Sequence, residues 1–205
     1  MQVPKVRSAP RDERRNRMIL AGVGGSALVI AAAVAAFFLL SGGGNAQSGG
    51  TVDTLRDAGC TYANPRSQGR THVTALPPGH KPNSVPRSSG PHAQDTLIYG
   101  FYTEPVPELN AVHNLEHGAV IIWFGPRVPQ ATINQINELY QEDPNGLIVA
   151  QHPRLGDDIA LVAWTHVARC PRYDEDAFTE FIDSFRGKGP ESDVFDVSDL
   201  QPGRG

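Results

Sequence analysis

An α+β fold is predicted for this chain, a single domain with a mixed β-sheet flanked by helices and preceded by one transmembrane helix. Three observations carry that reading. A block of 23 residues at 18–40 holds no charged side chain, whereas all 18 Lys and Arg and all 22 Asp and Glu lie outside it. The second half of the chain alternates apolar strand-like runs with segments of helical period. Their order, strand, helix, strand, helix, strand, strand, helix, favours parallel pairing within each strand–helix–strand unit and antiparallel pairing in the following hairpin. A thioredoxin-like arrangement fits the same order.

The N-terminal elements follow from charge and hydropathy. Residues 1–17 carry six basic and two acidic side chains, a net +4, and the remaining 12 basic against 20 acidic leave −8. A basic flank before an apolar span of about 20 residues predicts a cytoplasmic stub at 1–17, a membrane helix at 18–40 and an extracytoplasmic remainder. The span is longer than the apolar core of a cleaved signal peptide, so an uncleaved plasma-membrane anchor is expected. An ordinary cytosolic protein is excluded on this reading, and the acidic exterior argues against nucleic acid as a partner. The glycine-rich segment 41–50 reads as a tether, 51–191 as the extracytoplasmic domain and 192–205 as a disordered acidic tail.

Cys60 and Cys170 are the only cysteines. In an oxidising compartment they are expected to form a disulfide, and the absence of a CxxC spacing removes thioredoxin-type redox chemistry. Between them, 63–91 is crowded with prolines and is expected to be an extended loop with a short strand around 72–76. Strands are predicted at 96–102, 119–124, 147–150 and 159–167. Helices are predicted at 107–117, closed by Gly118, at 129–142 and at 174–186, the last with Phe178, Phe181, Ile182 and Phe185 on one side.

Chemistry concentrates in the helix at 107–117. His113 and His117 stand four residues apart, one turn on the same face, which is a spacing that lets two imidazoles share a metal. At about 100° per residue, Glu116, His113 and His117 border the apolar arc of Leu109, Val112 and Leu115, so this trio is expected to be partly buried. Buried polar groups need hydrogen bonds or a metal. His92, in the stiff SerGlyProHis turn at 89–92, is the candidate loop ligand, while His72, His80, His152 and His166 are weaker candidates. His166 is expected on the same strand and side as Trp164.

Sulfur ligands are absent from this set, because the only methionines are Met1 and Met18 and the two cysteines are expected to pair. Imidazole and carboxylate donors suit zinc or copper(II), and iron as well. Two other readings stay open. His113-x-x-Glu116-His117 matches the HxxEH pattern of zinc hydrolases, with Glu116 as general base and Glu180 or Asp183 as a downstream third ligand. In the other, the histidines and Glu116 only brace a structural or interaction module of the cell envelope.

The run HisAsnLeuGluHisGly at 113–118, followed by an apolar strand, resembles the signature of an uncharacterised family of bacterial membrane-anchored proteins, frequent in actinobacteria. Gly59-Cys60, SerGlyProHis at 89–92, GluProValPro at 104–107, Cys170 and PheArgGlyLysGlyProGlu at 185–191 resemble the family in order and spacing. The resemblance covers most of 51–191. It implies a single N-terminal anchor and an exported domain, places His92, His113, Glu116, His117, Cys60 and Cys170 in family motifs, and implies no established activity.

Overall fold

The computed structural model describes residues 46–193 and 200–203. The expected stub at 1–17, the membrane helix at 18–40 and the first half of the tether lie outside those residues. Among the described residues no helix is long and apolar enough to cross a membrane.

Among the described residues four helices, α1 (Ala46–Asp57), α2 (Glu108–Glu116), α3 (Gln130–Glu142) and α4 (Glu175–Phe185), accompany six strands: β1 (Thr61–Ala63), β2 (Phe101–Pro105), β3 (Val120–Phe124), β4 (Leu147–Gln151), β5 (Ile159–Ala163) and β6 (His166–Cys170). The strands form one mixed sheet in the order β1-β6-β5-β3-β4-β2. β3 lies at its centre, parallel to β4 as the strand–helix–strand order requires, and antiparallel to β5. The hairpin expected between 147–150 and 159–167 does not form, because β5 pairs with β3 and β6, and β2 pairs in parallel with β4 and not with β3.

Because side chains alternate across a strand, β3 feeds two separate cores. Val120, Ile122 and Phe124 pack with Leu55 of α1, Ile136 and Tyr140 of α3, and Phe178 and Phe181 of α4. Ile121 and Trp123 point to the other face, where they meet Ala111 and Leu115 of α2. Every residue of β3 and β5 is buried, which accounts for their continuous apolar runs. Helix α2 therefore stands on the opposite face from α4, a separation that decides which acidic residues can approach its histidines.

Several expectations are corrected. Residues 46–50, read as tether, belong to α1, because the helix is anchored further along by Leu55 in the core and by Thr51, whose hydroxyl contacts Glu180 and Ser184 of α4. The strand predicted at 96–102 is displaced to 101–105, since the Asn114 side chain takes both the N–H and the C=O of Leu97 and leaves neither for a neighbouring strand. The predicted strand 159–167 is a hairpin. Thr165 adopts φ +61° and with Trp164 forms the turn, so His166 opens the second strand while Trp164 lies outside both. The short strand expected near 72–76 reduces to one parallel bridge between His72 and His92. In the tail, Leu200 is 3% exposed and its carbonyl accepts from the Gly146 N–H, so 200–203 is packed on the domain where disorder was expected.

The expected Cys60–Cys170 disulfide is present, with a Cα–Cα distance of 4.2 Å, and joins the residues flanking the β1–β6 pairing. A bridge that closes a loop of 110 residues stabilises by about 4 to 5 kcal/mol in the chain-entropy model. Replacing both cysteines by serine should lower the unfolding free energy by roughly that amount. Denaturant titration of the variant against wild type measures it, and an unchanged midpoint would show that the β1–β6 edge is held without the bridge.

Candidate metal centre

Helix α2 is short and buried along most of its length, with Ala111 through Glu116 all inside. Such a helix can carry polar groups only if its surroundings answer each of them. Its first turn holds Glu108, which accepts from the backbone N–H of Arg87 at 2.8 Å and lies 3.3 Å from Nε2 of His152. Its Leu109 carbonyl accepts from the Ala93 N–H, and Asn114 clamps Leu97. Three successive grips thus hold the loop 85–97 against the helix and deliver His92 to its last turn.

The C-terminal end of α2 is closed by Gly118 in the left-handed conformation, φ +97°, as predicted from its position after His117. A strap at 187–192 then takes up the last carbonyls: Gly187 N–H donates to Gly118 O and Glu191 N–H donates to Glu116 O. Helix termini leave such carbonyls without intrahelical partners, so the strap completes the helix. Gly189 lies against the helix backbone so closely that an added Cβ would stand 2.2 Å from Glu116 O.

This frame gathers His72, His92, His113 and Glu116, each offering a donor atom within 4.8 Å of the others. The three imidazole centroids are 4.8 to 5.0 Å apart. His92, His113 and Glu116 are 0%, 7% and 1% exposed, whereas His72 is exposed. His92 Nδ1 lies 2.8 Å from the Gly90 carbonyl, which can only accept, so Nδ1 carries a proton, and in the neutral ring that burial favours Nε2 presents a lone pair. That lone pair faces Glu116 Oε2 at 2.9 Å. Two acceptors at this distance repel unless a proton or a cation lies between them.

Electrostatics push both groups toward neutrality. Burial lowers the His92 pKa, with His72 and Arg87 adding to the effect and the Gly90 hydrogen bond opposing it. Burial likewise lowers His113, helped by His92 and His72, and raises Glu116, helped by Glu191. His92 Nε2, His113 Nδ1 and Glu116 Oε1 are buried and make no hydrogen bond to the described residues. Arg70 is the one cation beside the carboxylate among the described ion pairs, 3.5 Å from Oε1.

Of the predicted ligands, His92, His113 and Glu116 come together and His117 does not join them. His117 ends the helix with its ring 4.5 Å from that of His113, but its Nε2 is directed to Glu191 Oε2 at 3.5 Å. Burial and the His113 ring hold its pKa down to about 4. His72, a weaker candidate from sequence, replaces it because the parallel bridge sets His72 beside His92. His80 lies in a turn closed on Pro77, His152 pairs with Glu108 beneath Trp123, and His166 pairs with Tyr62 and stacks on Phe185. Glu180 binds Thr51 on α4 and Asp183 faces Arg186, so neither supplies the downstream ligand of the HxxEH reading. Arg70 and Glu191 were missed in the sequence. The only signal for Glu191 was its place in the PheArgGlyLysGlyProGlu motif, whose glycines prove to serve the close approach of the strap.

Two outcomes follow for the metal-free protein. An unfolded imidazole titrates near 6.5, above the lowered folded-state values of His92, His113 and His117, so the unfolded chain takes up protons first as pH falls. Their contribution is complete above 6.5 and is lost toward the value of about 4 held by His117, with a slope of up to about 1.4 kcal/mol per pH unit for each group. Glu116, raised when folded, offsets part of this loss. Urea midpoints should therefore fall from pH 6.5 to 4, and His117→Gln should flatten the fall; equal slopes in the two proteins would exclude His117 as a contributor. Gly189→Ala should cost several kcal/mol, on the order of the larger overpacking effects, because its Cβ can be admitted only by moving the strap off Glu116. A melting temperature within a degree of wild type would contradict that packing.

Comparison with known proteins locates the site in a family. No curated protein and no solved structure matches the chain. A family model described as a protein of unknown function (DUF3105) matches residues 81–196, a range that holds His92, His113, Glu116, His117, Cys170 and Glu191 but neither Cys60 nor His72. With more than half of its 205 residues matched, the chain belongs to the DUF3105 family.

Proposed function

We propose that this protein is a membrane-anchored, extracytoplasmic metal-binding protein. In this reading His92, His113 and Glu116 are buried ligands, His72 is the fourth, and the HisAsnLeuGluHisGly run is the local signature of the site. The observation that carries the proposal is the 2.9 Å contact between the His92 Nε2 lone pair and Glu116 Oε2, in a cluster where further buried ligand atoms make no hydrogen bond. A metal ion turns that repulsion into coordination. The Gly90 carbonyl on Nδ1 is the kind of outer partner that fixes the tautomer of a metal-binding histidine.

Three imidazoles and a carboxylate, with both cysteines consumed in the disulfide, favour zinc or copper(II), and iron fits the same donors. The anchor rests on the uncharged block at 18–40 and the +4 flank before it, which together support a position of 51–191 outside the cytoplasm. The membrane is then an expected partner, no role is assigned in nucleic-acid binding, and no protein partner is named. The disulfide is in keeping with an oxidising compartment.

Metal analysis of the full chain after reconstitution with Zn²⁺ or Cu²⁺ and removal of excess should give one equivalent, and His113→Ala or Glu116→Ala should weaken binding by at least about 100-fold, beyond the usual range for an outer-sphere change. At a free metal concentration 100 times Kd, binding should stabilise the wild type by about 2.7 kcal/mol. Near-zero metal in wild type and variants alike, with no metal-dependent change in melting, would reject the proposal in favour of a purely structural cluster.

A further inference from the structure

The four ligands are unequal, and the difference points outward. His92, His113 and Glu116 are sealed in the interior, whereas His72 is exposed at the rim. The backbone around His72 is secured by Val73 N–H donating to His92 O and His92 N–H donating to Thr71 O. Its imidazole, however, makes ring contacts with His92 and His113 and has no carbonyl partner among the described residues such as the one that fixes His92. A histidine that serves as a permanent ligand normally has such an outer partner.

Beyond the His72–His92 bridge the two chain segments part and leave a surface recess of about 420 Å³, lined by His72, Val73, Thr74, Gln94, Asp95 and Asn110. A water molecule occupies about 30 Å³ of liquid, and small-molecule sites run from about 300 Å³ upward. The recess is thus large enough for an organic molecule. Its polar side chains are a hydroxyl, two amides and one carboxylate, with the metal-site imidazole at its inner edge.

We infer that His72 occupies an exchangeable coordination position, and that the recess admits a small polar molecule whose nitrogen or oxygen donor takes that position on the metal. This rests on the metal-binding proposal above. A centre with three protein ligands and one open position is the arrangement of catalytic sites; four permanent ligands close a structural one. The recess hydrogen-bonds the rest of the incoming molecule through Thr74, Gln94 and Asn110, and Asp95 disfavours an anionic tail. The step is ligand exchange: one donor atom leaves the metal as another binds, with no change in oxidation state.

The test uses the full chain loaded with Co²⁺, whose visible bands report its ligands, and imidazole as the probe. If wild type binds none of Co²⁺, Zn²⁺ and Cu²⁺, the metal-binding proposal itself fails. If it binds, His72→Ala should keep one equivalent with affinity reduced by about tenfold, the low end of outer-sphere effects, while His113→Ala loses it. Imidazole should then shift the bands of His72→Ala saturably at millimolar concentration, and adding Thr74→Trp to fill the recess should abolish the shift without releasing metal. His72→Asn serves if the alanine variant does not fold. Loss of metal from both His72 variants to the extent seen in His113→Ala would make His72 a permanent ligand and overturn the inference. So would bands that ignore imidazole, or a shift that survives Thr74→Trp.

Discussion

A carboxylate 1% exposed, with an imidazole lone pair 2.9 Å from one of its oxygens, is the constraint on which the rest of this structure turns. Leaving an ionised carboxylate unpaired in the interior costs many times what a hydrogen bond contributes, so the group must be neutralised or paired. Glu116 responds in part by a raised pKa and in part through Arg70 at its edge. One proton shared with His92 satisfies the metal-free state. A divalent cation could fill the same place, with the neighbouring imidazoles as further donors.

The fold is organised to hold those groups still. Helix α2 has nine residues, too few to be stable by itself, and it is stabilised almost entirely by what surrounds it. Glu108, Leu109 and Asn114 bind the proline-rich loop, Leu115 enters the sheet core, and the strap closes the last turn. A long loop without regular structure would ordinarily be mobile. Here it is a wall of the site, since Glu108, the Leu109 carbonyl, Asn110 and Asn114 of one helix take several of its backbone polar groups. The disulfide acts elsewhere, on the sheet edge carrying β1, so the covalent and polar restraints brace different parts of the domain.

The HxxEH pattern shows how the same residues can be read in two ways. In a long helix, His113 and His117 would project together and a later helix would supply the third ligand. Here the helix ends at Glu116, His117 becomes its cap, and the downstream helix packs on the opposite face of the sheet. The additional candidate ligands come instead from upstream, His72 and His92, and Glu116 lies among the donor atoms that could hold a metal. The segment after α4 contributes through Glu191, which reaches His117 and Arg70 at the edge of the cluster.

Local order was legible wherever a period or a stop signal ran through several residues. The buried runs of β3 and β5, the amphipathic α4, the end of α2 at Gly118 and the candidacy of His92, His113 and Glu116 all follow from the chain itself, because side-chain direction is set by backbone geometry over a few residues. Cysteine pairing followed from there being only two. What sequence could not supply depended on contacts between distant segments. His72 enters the site through a single bridge to His92, Leu97 leaves the predicted strand because Asn114 claims its backbone, and Thr165 turns without glycine while its N–H donates to the Ser88 carbonyl. No periodicity encodes such pairings. The amino acids determined which donors were available and that they would be buried together on α2; only the tertiary structure decided which of them meet, because that depends on which face of the sheet each element packs against.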